Sequence, residues 1–221
     1  TAQINALTTG QVSKLTEGSD GQIAALNTAQ VKALTTDGIR ALSDAQIQAI
    51  ETADLQAMTT AQIGALSSAQ IKSLSTEQIE KLTTAQIRVL SDTQIQNLTD
   101  EQVKAIETED LVKLTTSQIQ AISSEQIALI ATDRIQSLTT AQINALTTGQ
   151  VSKLTEGSDG QIAALNTAQV KALTTDGIRA LSDAQIQAIE TADLQAMTTA
   201  QINALTTEQL SALTTGSLGQ I

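Results

Sequence analysis

The chain has 221 residues and contains no Phe, Tyr, Trp, His, Cys or Pro, so its core must be thin and built from Ile, Leu, Val, Met and Ala. Its net charge of -11 argues against nucleic acid and anionic membranes as partners, because both require a basic surface. The absence of Cys excludes structural disulfides and thiolate metal sites, and no stretch reaches the roughly 18 apolar residues of a membrane span.

From Thr1 onward the chain repeats one eight-residue phrase, approximately Leu-Thr-Thr-Ala-Gln-Ile-x-Ala. One apolar position, usually preceded by Gln, occurs 27 times, first at Ile4 and Val12, and a second apolar residue follows three positions later, as at Leu7 and Leu15. Such a chain is a repeat array. We call each eight-residue repeat an octad.

The spacing of apolar residues favours one short helix in each octad. A strand would place residues three and then five apart on both of its faces. A single long helix would turn its apolar stripe by about 80° per octad, and no partner helix could follow that drift.

Helix starts are indicated by a capping box, in which a Ser, Thr or Asn is followed three residues later by Gln. Thr8 with Gln11 and Ser43 with Gln46 are examples. The side-chain oxygen of the first residue accepts from the N3 amide, and the Gln side chain reaches back to the cap amide. The Leu before the cap and the Ile four residues after it occupy the positions of a hydrophobic staple.

Charges are sorted as a helix dipole requires. Of the 23 acidic residues, 22 fall at a cap, in a first turn or in an insertion, and Glu80 is the exception. Of the 12 basic residues, 11 fall in the second half of an octad, and Arg134 is the exception. A merely solvated face would not separate the two signs.

The sequence therefore predicts an all-α fold over residues 1–221, a single continuous solenoid of very short helices with one helix per octad. We expect Ile and Leu to point inward, and Thr, Gln and the variable position to point outward. About three or four octads per turn would let two aliphatic residues per octad fill the axis. The array begins and ends within an octad, so we expect it to be a fragment of a longer one.

Three-residue insertions, such as Thr16-Glu17-Gly18, interrupt the octads at three places. We expect bulged corners in which Gly supplies unusual dihedrals, followed by a new capping box. The three predicted boxes are Ser19 with Gln22, Ser158 with Gln161, and Ser217 with Gln220. Calcium is the alternative function for the carboxylates here, Glu17, Asp20, Glu156 and Asp159, but the pattern falls short of a calcium motif, and we predict no metal site.

Three octads replace the box with Glu at the cap and Asp at N3, at Glu51 with Asp54, Glu107 with Asp110, and Glu190 with Asp193. The change suggests a second capping solution, shifted to Thr52, Thr108 and Thr191. Paired carboxylates can also act as general acid and base, but no His or other polar constellation accompanies them, so we favour the structural interpretation.

The octad from Ala131 to Leu138 has lost both members of the box, because Ala131 stands at the cap and Arg134 at N3. We predict that it opens first. A larger repeat overlies the octads, since residues 1–63 recur identically at 140–202. Identity at solvent-facing positions indicates recent duplication.

In its acidic, Thr/Ala/Gln-rich repeats without Cys or aromatic residues, the chain resembles the repeat regions of giant bacterial secreted or surface proteins of the adhesin type. The resemblance implies an extracellular or cell-surface spacer that projects a terminal domain. A coiled rod could also associate laterally with itself, although the sequence gives no specific seam for this. The alternative is a binding module in which pairs such as Thr8-Thr9 and Thr35-Thr36 present hydroxyls to ice, mineral or polysaccharide. We predict no catalytic residues and no cofactor, because the chain has no His, no Cys nucleophile and no phosphate-binding loop.

Overall fold

A computed structural model describes residues 1–213 of the chain. The described residues form short α-helices joined by corners and turns, without a β-strand among them. The helices comprise four to six residues each, and their bounds are α1 Ala2–Asn5, α2 Thr9–Val12, α3 Thr28–Ala33, α4 Thr36–Ala41, α5 Asp44–Gln48, α6 Thr52–Ala57, α7 Thr60–Ala65, α8 Ser68–Ser73, α9 Thr76–Glu80, α10 Thr84–Arg88, α11 Asp92–Gln96, α12 Asp100–Ala105, α13 Thr108–Leu111, α14 Thr116–Ala121, α15 Ser124–Ile127, α16 Thr132–Ser137, α17 Thr140–Ala145, α18 Thr148–Lys153, α19 Gln161–Ala164, α20 Thr167–Ala172, α21 Thr175–Ala180, α22 Asp183–Ala188, α23 Thr191–Ala196, α24 Thr199–Ala204 and α25 Thr207–Ala212.

The predicted short helix per octad is thus confirmed, with one exception among the described octads. Around Ile23 the chain forms turns instead of a helix, although Ile23 itself is buried. The fold divides into two units, one from Thr1 to Leu114 and one that begins at Thr115.

Capping boxes begin most of these helices. Both halves of the box are formed in 17 of the 25 described helices. Helices this short satisfy few of their own backbone groups, so caps carry an unusually large share of their stability.

Two extended residues form the corner between many consecutive helices. Leu34 ends α3 at φ -62° and ψ 135°, and Thr35 opens α4 at φ -72° and ψ 158°. Both conformations are open to ordinary residues, so the corner needs no Gly or Pro.

The two aliphatic positions of most octads form the core of both units, while those near the start of the chain, such as Ile4 and Leu7, are half-buried. Ile63 is 0 % and Leu66 3 % exposed in one octad, and Ile178 is 0 % and Leu181 4 % exposed in another. Within each unit a helix packs against the third helix after it, as α4 does on α7 and α18 on α21. The pairs α1 with α3 and α2 with α4 differ only because the Ile23 octad between them carries no helix.

Candidate functional site: glutamine bridges and buried aspartates

The Gln at N3 joins two helix ends through one side-chain amide, as Gln86 shows. Its Oε1 accepts from the backbone N–H of Thr83 at 2.8 Å, which completes the capping box of α10. Its Nε2 donates to three backbone carbonyls at the end of α6, those of Leu55 at 3.0 Å, Gln56 at 3.1 Å and Met58 at 2.9 Å. One residue therefore caps the N-terminus of its own helix and the C-terminus of another. We call this arrangement a glutamine bridge.

Glutamine bridges recur in both units with a fixed separation along the chain. The amide donates to carbonyls 31 and 28 residues earlier, as Gln70 does to Ile39 and Leu42. Because 28 residues are three and a half octads, each bridging Gln contacts the junction between two earlier octads. Other bridges are made by Gln62, Gln78, Gln94, Gln102, Gln150, Gln201 and Gln209.

An insertion lengthens this separation by its own three residues. Gln185 donates to Val151 and Leu154, which are 34 and 31 residues earlier, and the insertion around Gly157 lies between. The amide thus keeps its carbonyl partners, and the added residues are accommodated in the loop.

The expectation that Gln points outward is wrong. Within residues 1–213, the N3 glutamines are 1 to 6 % exposed, apart from Gln3, Gln11, Gln22 and Gln30. An amide that accepts and donates at once satisfies its polar atoms, so its burial carries little penalty. No buried side-chain nitrogen or oxygen of the described residues lacks a hydrogen-bond partner.

The bridge explains why N3 is never Glu. A Glu side chain can complete a capping box, but a carboxylate cannot donate to a carbonyl. Glutamates are frequent one position earlier, as at Glu77, Glu101 and Glu125, yet none stands at N3 in any octad.

At three N3 positions an Asp replaces the bridging Gln, and its side chain accepts a hydrogen bond from an earlier octad where the Gln amide would donate one. These residues are Asp54, Asp110 and Asp193. They are 5, 3 and 5 % exposed. Each carboxylate accepts from a Thr hydroxyl 26 residues earlier, with oxygen separations of 2.5 Å from Thr28, 2.6 Å from Thr84 and 2.5 Å from Thr167. The Asp110 pair lies outside the duplicated segment, so the arrangement occurs independently of the duplication.

The proposed shift of the cap to Thr52, Thr108 and Thr191 is wrong, because these residues are the first of their helices. Glu51, Glu107 and Glu190 hold the cap position, and none of them makes a side-chain cap bond. The Asp side chain accepts instead from the Thr hydroxyl of an earlier octad. The Asp and Glu of each pair also differ in environment, since the Asp is buried while Glu51 and Glu190 are exposed and Glu107 is half-buried.

Burial raises the pKa of the Asp110 carboxyl above its usual 3.8. The hydrogen bond from Thr84 lowers that pKa, and the negative charges of Glu109 and Glu107 raise it further.

The insertions close their capping boxes differently from the prediction. Thr16, and not Ser19, accepts from the backbone N–H of Gln22 at 2.9 Å, and Gln22 Oε1 accepts from Thr16 N–H at 3.2 Å. Thr155 and Gln161 repeat this geometry at 2.8 and 3.0 Å. The box spans six residues because the three inserted ones bulge between its halves. The box predicted at Ser217 and Gln220 lies outside the described residues.

Glycine enables the bulge, as predicted, at Gly18 and Gly157, which both have φ of 90°. A second Gly in each bulge allows a close backbone approach. A Cβ on Gly21 would lie 2.5 Å from the carbonyl oxygen of Glu17, and one on Gly160 would lie 2.4 Å from that of Glu156.

The insertion carboxylates considered as calcium ligands lie at the surface. Glu17 accepts from the Ser43 hydroxyl and Glu156 from that of Ser182, both at 3.3 Å. Asp20 and Asp159 are also exposed. Within residues 1–213, no three side chains of His, Cys, Asp or Glu come together as a metal site would require.

Each unit contains a shallow cleft beside its insertion. The first cleft measures about 640 Å³, and Glu17, Ala45, Ala49 and Glu51 are among its lining residues. The second measures about 600 Å³ and is lined by the equivalent residues of the duplicated segment, including Glu156 and Glu190. Among the described helices, none has the length and apolar character needed to cross a membrane.

The octad of α16 lacks a side-chain cap, as its sequence indicates. Ala131 offers no side-chain oxygen, and Arg134 is half-buried at the N3 position. The C-terminal end of α16 is nevertheless bridged, because Gln169 donates to the carbonyls of Gln136 at 2.9 Å and Leu138 at 2.7 Å.

Comparison with known families places these features in a known repeat. The ALTTAQ repeat matches residues 20–50, 47–84, 103–140, 159–188 and 186–220, which together cover well over half of the chain. No curated protein shows significant similarity to the chain. The chain therefore belongs to the ALTTAQ repeat family.

Proposed function

We propose that this chain is a structural spacer, the stalk of a large bacterial surface or secreted protein, whose octads wind into a superhelical solenoid. The observation that carries the proposal is the regular separation between a bridging Gln and its carbonyls, which is 28 and 31 residues, or 31 and 34 where a three-residue insertion lies between. Each octad is held by the turns next to it, so an additional octad adds length without requiring a new core.

A non-enzymatic role fits the same features. The buried glutamines are committed to helix ends, and the clefts beside the insertions are shallow, with Ala, Thr and Glu as about half of their lining residues. The extracellular location in this proposal rests on the resemblance of the acidic, Thr/Ala/Gln-rich repeats to those of secreted and surface proteins. The acidic surface supports the absence of nucleic acid partners.

Presentation of a Thr lattice to ice, mineral or polysaccharide is less well supported. The first hydroxyl of most Thr pairs is already an acceptor for the N3 amide, as Thr59 is for Gln62. The second Thr of a pair is not needed for the cap, but it too can be engaged, as Thr84 is by Asp110.

Small-angle X-ray scattering, with circular dichroism to verify helix, tests the spacer directly. A compact globule of this length has a radius of gyration of about 17 Å. We expect a clearly larger value and a rod-like profile. A variant with a further copy of residues 1–139 should increase the length of the rod and leave its cross-section unchanged.

A radius near 17 Å would overturn the spacer proposal and direct attention to an enclosed surface. A concentration series on the same sample measures lateral self-association. Thermal hysteresis and glycan-binding assays are the measurements that would favour the Thr lattice instead.

A further inference from the structure

Asp110 has a carboxyl group at the N3 position, where most other octads have the side-chain amide of Gln. Its side chain is 3 % exposed and accepts from the Thr84 hydroxyl at 2.6 Å. Thr84 is the first residue of α10, the helix of the first unit on which α13 packs. The contact between these two helices thus contains a buried group that can carry a charge or a proton.

The charged groups around Asp110 are mostly acidic. Its own octad supplies Glu107 at the cap and Glu109 at N2. The packed helix α10 carries one charged side chain, Arg88, in its last turn. A cleft of about 410 Å³ beside them is lined by Glu80, Lys81, Glu107 and Glu109, among others.

The one amine of that cleft is engaged by another carboxylate. Lys81 Nζ lies 2.6 Å from Glu80 Oε1, and this hydrogen bond raises the pKa of Lys81, with smaller contributions from the charges of Glu80, Glu107 and Glu77. An ionised Asp110 therefore adds a charge to an acidic environment with little exposure to water.

We propose that Asp110 is a proton-dependent contact, at which protonation strengthens the packing of α13 on α10 and makes this part of the first unit more stable in acid than at neutral pH. The proposal does not depend on the spacer function. It assigns to the coil a local response to acidification.

The direction follows from linkage between protonation and folding. The pKa of Asp110 is raised in the folded chain, chiefly by burial, above the 3.8 of the free side chain. A group with a raised pKa binds its proton more tightly when folded, so its stabilising contribution is fully present below pH 3.8 and is lost as the pH rises through the folded value. Acidification from neutral pH should therefore tighten α13.

Another octad with Asp at N3 supplies a matched comparison. The octad of Asp54 has Ala53 where the Asp110 octad has Glu109. The variant Glu109→Ala removes one of the two carboxylates that raise the pKa of Asp110, and should lower the pH at which Asp110 titrates.

The test is a carbon NMR titration of the Asp110 carboxyl in the folded chain and in urea, combined with hydrogen exchange of the α13 amides. We expect a midpoint higher in the folded chain than in urea. Protection factors of the Leu111 and Val112 amides should rise severalfold as the pH falls through that midpoint. The Leu111 amide donates to Glu107 O and the Val112 amide to Thr108 O, so both report opening of α13.

Asp110→Asn keeps an oxygen for Thr84 but cannot titrate, so it should abolish the pH-dependent rise in protection. Asp92→Asn, which removes an exposed carboxylate at the start of α11, should retain that rise. A folded midpoint at or below the urea value would overturn the proposal, as would an identical rise in the Asp110→Asn variant. If that variant does not fold, the titration of the unmodified chain and of Glu109→Ala decides.

Discussion

The octads Thr83–Leu90 and Glu107–Leu114 lie in the same unit, and each contains one short helix. Their N3 side chains, however, make different hydrogen bonds at the helix ends. Gln86 accepts from its own cap amide and donates to three carbonyls of α6. Asp110 accepts a single hydroxyl hydrogen bond, and its helix start has no side-chain cap. The difference teaches that the bridge requires a side chain that is both donor and acceptor, and long enough to reach two helix ends.

We expect the largest loss of stability from Gln86→Glu, which removes the bridge from its octad. The substitution keeps length and shape but removes the donor for the carbonyls of Leu55, Gln56 and Met58 and buries a charge at a site that is 2 % exposed. We expect a loss of about 3 kcal/mol in the free energy of unfolding, measured by urea denaturation. Gln96→Glu, at an exposed position, is the control and should change the free energy of unfolding by about 0.5 kcal/mol or less. Equal losses in the two variants would contradict the bridge.

The reverse experiment converts an aspartate octad into a glutamine octad. Asp54→Gln should gain an acceptor for the Glu51 amide and a donor toward the Leu26 carbonyl, 28 residues earlier. We expect a gain of about 1 to 2 kcal/mol at neutral pH, because a capping box and a bridge form and a buried carboxylate disappears. Asp44→Asn at an exposed first-turn position controls for the change in net charge. A loss of stability would show that the Thr28 contact is worth more than the bridge.

The octad of α16 tests the contribution of the side-chain cap, because Ala131 stands where most other octads have Ser, Thr or Asn. Local opening there should precede that of neighbouring helices in native-state hydrogen exchange, because Ala131 has no side-chain oxygen to cap the helix, and only its backbone carbonyl accepts from the Arg134 amide, at 3.0 Å. The double variant Ala131→Thr with Arg134→Gln should stabilise it by about 1 kcal/mol. Uniform protection from α15 to α17 in the unmodified chain would refute this prediction.

The smallest expected effect concerns an octad with a cap but no bridging side chain. Thr174 accepts from Gly177 N–H at 2.9 Å, and a Cβ on Gly177 would lie at an ordinary 3.5 Å from Val151 Cγ2 and a tighter 3.2 Å from the Thr174 hydroxyl oxygen. Gly177→Ala should gain about 0.5 to 1 kcal/mol from reduced flexibility of the unfolded chain. Gly177→Gln should gain more if the amide also bridges. Thermal unfolding of the two variants separates these contributions.

Local structure was predictable from the sequence because its determinants lie within one octad. The box of Thr8 with Gln11 and the charge sorting gave the helix starts, and the aliphatic spacing gave the buried face. The inward position of Gln was not predictable in the same way, because it depends on which carbonyls about 30 residues earlier lie next to the side chain. The spacing of residues within one octad does not show which distant octads pack together. The exclusion of Glu from N3 was a signal that could have shown it. The box of Thr16 with Gln22 was missed because its halves stand six residues apart, outside the usual motif.

The fixed offset between each Gln and its carbonyls bears on how such genes change. If one whole octad is lost or gained between Leu74 and Gln102, the amide of Gln102 meets the equivalent carbonyl of a neighbouring octad. Unequal recombination in multiples of eight codons therefore preserves every bridge. Other lengths demand a bulge of the kind seen at Gly18, and the pairing of Asp54 with Thr28 limits where whole octads can be exchanged. Length can thus vary freely between descendants of one array, while the mixture of Gln and Asp octads retains a record of their original order.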